Sequence, residues 1–168
     1  MTTQQLIVVI FVYSIALVAA VYFTRPAWRR AAGAVAGGAA AGWVLLGAIA
    51  LGNEQGWWRV PIPATPGALA LFYLAGAISC SPIYLITWRV ALRFGWRGLA
   101  VCLIFAAIIG PPRHYLVAAM YPEWMVFAPG VAPIIADAAT YIGIVAIGHG
   151  VMRLGAGPSH EDRLRNES

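Results

Sequence analysis

The sequence predicts an all-α integral membrane protein: a bundle of five transmembrane helices with its N-terminus outside and its C-terminus inside. Three observations lead there. The 168 residues are 61% hydrophobic and only 10% charged, with a mean hydropathy of +0.78, whereas a soluble domain is about a quarter charged. The apolar residues fall in runs of the length that crosses a bilayer, about 20 residues of helix. The basic residues are all arginine, and nine of the 11 sit in three clusters: Arg25, Arg29 and Arg30; Arg89, Arg93 and Arg97; Arg153, Arg163 and Arg165. Clusters after the first, third and fifth runs are what the excess of positive charge on cytoplasmic loops produces.

The first run, Gln5 to Phe23, follows Met-Thr-Thr-Gln-Gln and is closed by Thr24-Arg25-Pro26. Its positive charge comes after it, the reverse of a signal peptide, so it reads as an uncleaved span. The second, Ala31 to Gly52, is rich in glycine and alanine. Gly33/Gly37 and Gly38/Gly42 are small-xxx-small pairs, which let helix backbones approach closely in lipid. Packing within the bundle is the first expectation for this face, and pairing between subunits of a homo-oligomer or a larger membrane complex the second. The connection from Asn53 to Pro66 is longer, has Arg59 as its single positive charge, and carries Trp57 and Trp58.

The third run, Gly67 to Trp88, holds Ser79-Cys80-Ser81-Pro82 at mid-depth. Pro82 removes one backbone donor, and a neighbouring serine is expected to satisfy the freed carbonyl. The fourth starts near Trp96 or Gly98 and meets Gly110-Pro111-Pro112. Tandem proline removes two donors and crowds the preceding turn. Either one helix of about seven turns continues through the prolines, or the span ends near Pro112; the expectation is a helix broken there, with Tyr115 to Phe127 re-entrant or lying at the outer interface. The fifth runs from Val131 to Leu154. The domain is thus 1–154, followed by a polar cytoplasmic tail, 155–168.

The net charge of +5 does not make a nucleic-acid surface, because membrane spans divide the arginines; membrane lipid is the expected partner. Cys80 and Cys102 lie inside apolar runs and read as free thiols. No metal-ligand spacing, phosphate loop, dinucleotide fingerprint or nucleophile elbow occurs, so no metal or cofactor is expected.

The residues that could carry chemistry gather on the outer half. Asp137 lies about two turns inside the fifth run, where a carboxylate needs partners, with Tyr141 one turn on along the same face. Arg113 is its expected charge partner. His114 can act as acid or base, since an imidazole exchanges protons near neutral pH. Arg113, His114, Asp137 and Tyr141 are therefore expected to line a polar pocket, with Glu54, Trp57, Trp58 and Glu123 at its mouth. His149 reads as interfacial. The expected protein is a small multi-pass component of a bacterial inner membrane, a binding or accessory subunit handling a lipid-like or amphipathic molecule. A membrane isomerase or cyclase using Asp137 and His114 is the alternative, and a small oligomeric transporter the third.

Overall fold

The computed structural model describes residues 2–62 and 65–157. Among them are four helices, α1 (Thr3–Thr24), α2 (Trp28–Glu54), α3 (Pro66–Met120) and α4 (Val131–Ala156), and two short strands, β1 (Trp58–Arg59) and β2 (Val126–Phe127). All four helices are long and apolar enough to cross a membrane. Only Leu6 of α1 is buried; a helix apolar all round with so little of it covered is suited to lipid. Its start is closed by a capping box, in which the Thr2 hydroxyl accepts from the Gln5 amide and the Gln5 side chain accepts from the Thr2 amide. The expected tail lies beyond the described residues, apart from 155–157.

At 55 residues, α3 would be about 80 Å long if straight, more than twice the bilayer core of about 30 Å. It is not straight. Gly95 departs from helical geometry at φ 65°, ψ −150°, a conformation that a residue with a Cβ strongly disfavours. Contacts with α4 give the consequence. In the first arm, 66–94, Tyr84 bonds to Ile144 and Thr87 to His149, so residue numbers rise together. In the second arm, 96–120, His114 meets Asp137 and Gly110 meets Tyr141, so they run oppositely. The chain therefore reverses at Gly95.

The core lies between α2, the first arm of α3 and α4, with α1 laid against it through Leu17, Ala20 and Val21. The glycines of α2 make this approach possible. A Cβ on Gly37 would collide with the Gly148 carbonyl, one on Gly38 with Ser81 and the Ala77 carbonyl, and one on Gly33 would crowd the Met152 carbonyl at 3.1 Å. A Cβ on Gly42 would overlap the Tyr73 ring. Each glycine of the Gly33/Gly37/Gly38/Gly42 face thus meets a neighbour within the chain.

Two local expectations are corrected. The helix does not break at Pro111-Pro112 but continues to Met120. A proline φ fits a helix; what is lost is the two amides that would have served Ala107 and Ile108. Tertiary contacts hold the course: Pro111 is buried, the Tyr141 ring packs on Gly110, and Arg113 and His114 bond to α4. Residues 115–127 accordingly form no single interfacial segment, because 115–120 is helix and 126–127 is strand. Pro82 likewise sits inside continuous helix. The neighbouring hydroxyls do not reach Ile78, whose donor is missing. Ser79 donates to the Gly76 carbonyl and Ser81 to the Ala77 carbonyl, both at 2.9 Å.

At the end of the bundle away from the arginine clusters, β1 and β2 pair antiparallel, Trp58 opposite Phe127 and Arg59 opposite Val126. This ribbon ties the α2–α3 connection to the α3–α4 connection.

Candidate functional site

Below the ribbon, α3 and α4 bring four sequence-predicted residues together: Arg113, His114, Asp137 and Tyr141. Asp137 is 2% exposed. Its Oδ1 lies 2.9 Å from His114 Nδ1, and the His114 side chain is 23% exposed. Its Oδ2 is buried and has no hydrogen-bond partner among the described residues. Arg113 is not the partner of Asp137. Its Nε and Nη2 donate instead to the Tyr141 hydroxyl at 3.3 and 3.0 Å. The reason is geometric, since consecutive residues point about 100° apart on a helix and only one of them can face Asp137. His114 faces α4 squarely, while Arg113 reaches over the Tyr141 ring. That ring also lies 4.9 Å from the imidazole, and it comes close because position 110 is glycine.

The expected mouth residues are distributed differently. Trp58 is buried, packs on Gly52 and meets Phe127 edge-on at 6.0 Å. Trp57 is partly covered and tilted against Trp58. Glu54 and Glu123 are exposed at the same end of the molecule, and neither is bonded to the four-residue cluster. Sequence reasoning missed Tyr115, which stacks on Phe127 at 4.1 Å and has a buried hydroxyl without a partner among the described residues. It follows His114 directly, so its proximity to the cluster was available; its burial depends on β2, whose two residues carry no strong strand pattern. Tyr115 and Phe127 thus link the cluster to the ribbon and Trp58.

The ribbon carries a groove of about 520 Å³ lined by Asn53, Trp58, Arg59, Val126 and Phe127 among others. Neither His114 nor Asp137 lines it. His149, expected at an interface, is buried: it is 7% exposed, and its Nδ1 lies 2.9 Å from the Thr87 hydroxyl. Both cysteines are free, Cys80 buried and Cys102 partly covered. Among the described residues no three His, Cys, Asp or Glu side chains gather as metal ligands would.

Chemically the cluster holds an acid/base pair, one carboxylate oxygen with room in its hydrogen-bonding capacity, and a guanidinium with donors beyond those given to Tyr141. The chain matches no protein family, no curated protein and no solved structure. What can be said of its class comes from these helices and this cluster: a helical protein whose helices suit a membrane, with a buried polar centre between two of them.

Proposed function

We propose that the chain is a multi-pass protein of a bacterial inner membrane, with five spans, N-terminus outside and C-terminus in the cytoplasm. The reversal at Gly95 supports five spans, because each arm of α3 then has the length of one crossing. The arginine split supports the orientation, nine against two.

The function this geometry supports best is the binding of a lipid-like or amphipathic molecule, as a binding or accessory subunit of a membrane complex. One observation carries it: the unpartnered Oδ2 of Asp137, on a side chain 2% exposed. A buried polar atom without a partner costs about 1–3 kcal/mol, more when charged. A donor on a bound molecule would complete the carboxylate. The test is purification in mild detergent, with co-purifying lipids and proteins identified by mass spectrometry for the wild type and Asp137→Asn. A molecule carried by the wild type and lost from the variant supports the reading. Identical inventories from the two overturn it.

A second reading, a membrane isomerase or cyclase, is favoured by the 2.9 Å contact of His114 Nδ1 with Asp137. A carboxylate at that distance fixes the imidazole tautomer and leaves Nε2 to exchange a proton with a bound molecule. Conversion of the co-purified molecule by the wild type, with His114→Asn binding it unchanged but not converting it, would select this reading over simple binding.

A further inference from the structure

Three stretches far apart in sequence bring their arginines to one end of the bundle. Arg89 donates to the Thr24 carbonyl, and Arg30 donates to the Gly157 carbonyl at 2.7 Å. Both guanidiniums lie over the ring of Trp88, 5.6 Å from its centroid for Arg30 and 5.1 Å for Arg89. That ring is 4% exposed. One buried indole thereby joins the α1–α2 turn, the first arm of α3 and the end of α4. Arg93 and Arg97 flank the reversal at Gly95, each over a neighbouring ring, Phe94 at 5.3 Å and Trp96 at 5.9 Å. Phe94 and Trp96 project outward, as does Trp28 at the start of α2. Guanidiniums beside exposed aromatic rings are what a headgroup layer accommodates: charge to the phosphates, ring to the acyl boundary.

The charged side chains described at this end are all basic. The described acids, Glu54, Glu123 and Asp137, all lie toward the ribbon end. The arginine end holds Arg25, Arg29, Arg30, Arg89, Arg93, Arg97 and Arg153 with no acid among the described residues. The remaining acids, Glu161, Asp162 and Glu167, fall outside the described residues together with Arg163 and Arg165.

We propose that this end is a binding surface for anionic phospholipid headgroups, centred on the Gly95 reversal and the α1–α2 turn, with Trp28, Phe94 and Trp96 in the acyl boundary. The inference rests on the membrane-spanning reading and is independent of the Asp137 cluster. Lipid bound here bridges three chain segments already joined at Trp88. It binds the folded state alone and stabilises it by mass action.

The test uses the full-length protein in neutral detergent, titrated with phosphatidylglycerol or phosphatidylcholine, and reads melting temperature and retained lipid by native mass spectrometry. Phosphatidylglycerol is expected to be retained and to raise the melting temperature, and phosphatidylcholine to do neither. Arg93→Gln and Arg97→Gln, both on exposed side chains, are each expected to lower retention about fivefold, the factor matching about 1 kcal/mol per basic residue beside an anionic surface. Arg59→Gln, at an exposed arginine of the ribbon end, is expected to leave retention unchanged, which separates this surface from a general effect of net charge. Equal stabilisation by phosphatidylcholine, or full retention in the Arg93→Gln/Arg97→Gln double variant, overturns the proposal. So does equal stabilisation by inorganic phosphate, which would make this a surface for free phosphate. Release of the protein from membranes by alkaline carbonate would remove the spanning reading itself, and this surface with it.

Discussion

His114 Nδ1 and Asp137 Oδ1 lie 2.9 Å apart, joining the second arm of α3 to α4 through two side chains that are partly and almost fully buried. The contact is the shortest polar link between those elements among the described side-chain bonds of the cluster.

Removing His114 alone leaves Asp137 with neither oxygen satisfied. Breaking one side of a buried pair costs about 3–5 kcal/mol if the pair is charged, and about 1.5–3 kcal/mol as a hydrogen bond to a charged group. We expect His114→Ala and Asp137→Ala each to destabilise, and the double variant to lose clearly less than their sum. Unfolding free energies in detergent measure this cycle. Additivity within about 0.5 kcal/mol would mean that the two residues do not act as a pair.

Arg113→Gln tests the separate bond to Tyr141. Interhelical hydrogen bonds within membranes average about 0.6 kcal/mol, so a loss near that size is expected. It should disappear when Tyr141→Phe is already present. A cost of several kcal/mol that depends instead on Asp137 would restore the arginine–carboxylate pairing.

Gly37 and Gly47 make a controlled comparison on one helix. A methyl on Gly37 meets the Gly148 carbonyl, whereas nothing lies within 4 Å of the same position on Gly47. Gly37→Ala is expected to destabilise by about 1–3 kcal/mol through overpacking. Gly47→Ala should be neutral or stabilising, by up to about 1 kcal/mol from helix propensity. Thermal unfolding of both variants in the same detergent decides it, and equal melting temperatures would refute the close approach of α2 and α4.

Gly95→Ala places a Cβ where φ is 65° and ψ is −150°. Strain of about 1–3 kcal/mol is expected, read as a lowered melting temperature. An unchanged melting temperature would mean that the reversal at Gly95 is not as described.

Orientation is checked by reporter fusions in a bacterial host. Insertions at Gly56 and Gly130 are expected to report the outside, and those at Gly95 and Ser168 the cytoplasm. The same side for Gly95 and Gly130 would remove the fourth span, the second arm of α3, and the opposite assignment of all four would invert the topology.

The sequence by itself determined the helical, membrane-suited character of this chain, because a run of apolar residues with no charge has few other stable homes. Helix ends were legible for the same reason: α1 ends just before Arg25 and α2 at Glu54, where hydrophobicity stops and charge begins. The membership of the cluster was legible too, since a carboxylate, an imidazole and a guanidinium stand out against an apolar background. Pairing within the cluster was not. Whether Asp137 meets Arg113 or His114 depends on the rotation of α3 about its own axis, and that is set by Tyr141 packing on Gly110. The proline steps misled for a related reason: their local cost is real, but contacts from α4 outweigh it and keep the helix going to Met120. The reversal fell at Gly95, where one residue without a Cβ permits a positive φ. The glycines of α2 announced close packing in sequence. Only the tertiary structure decided that the partners are Gly148, Ser81 and Tyr73 of the same chain, because a small-residue face specifies how near a neighbour can come and carries no information on whose neighbour it is.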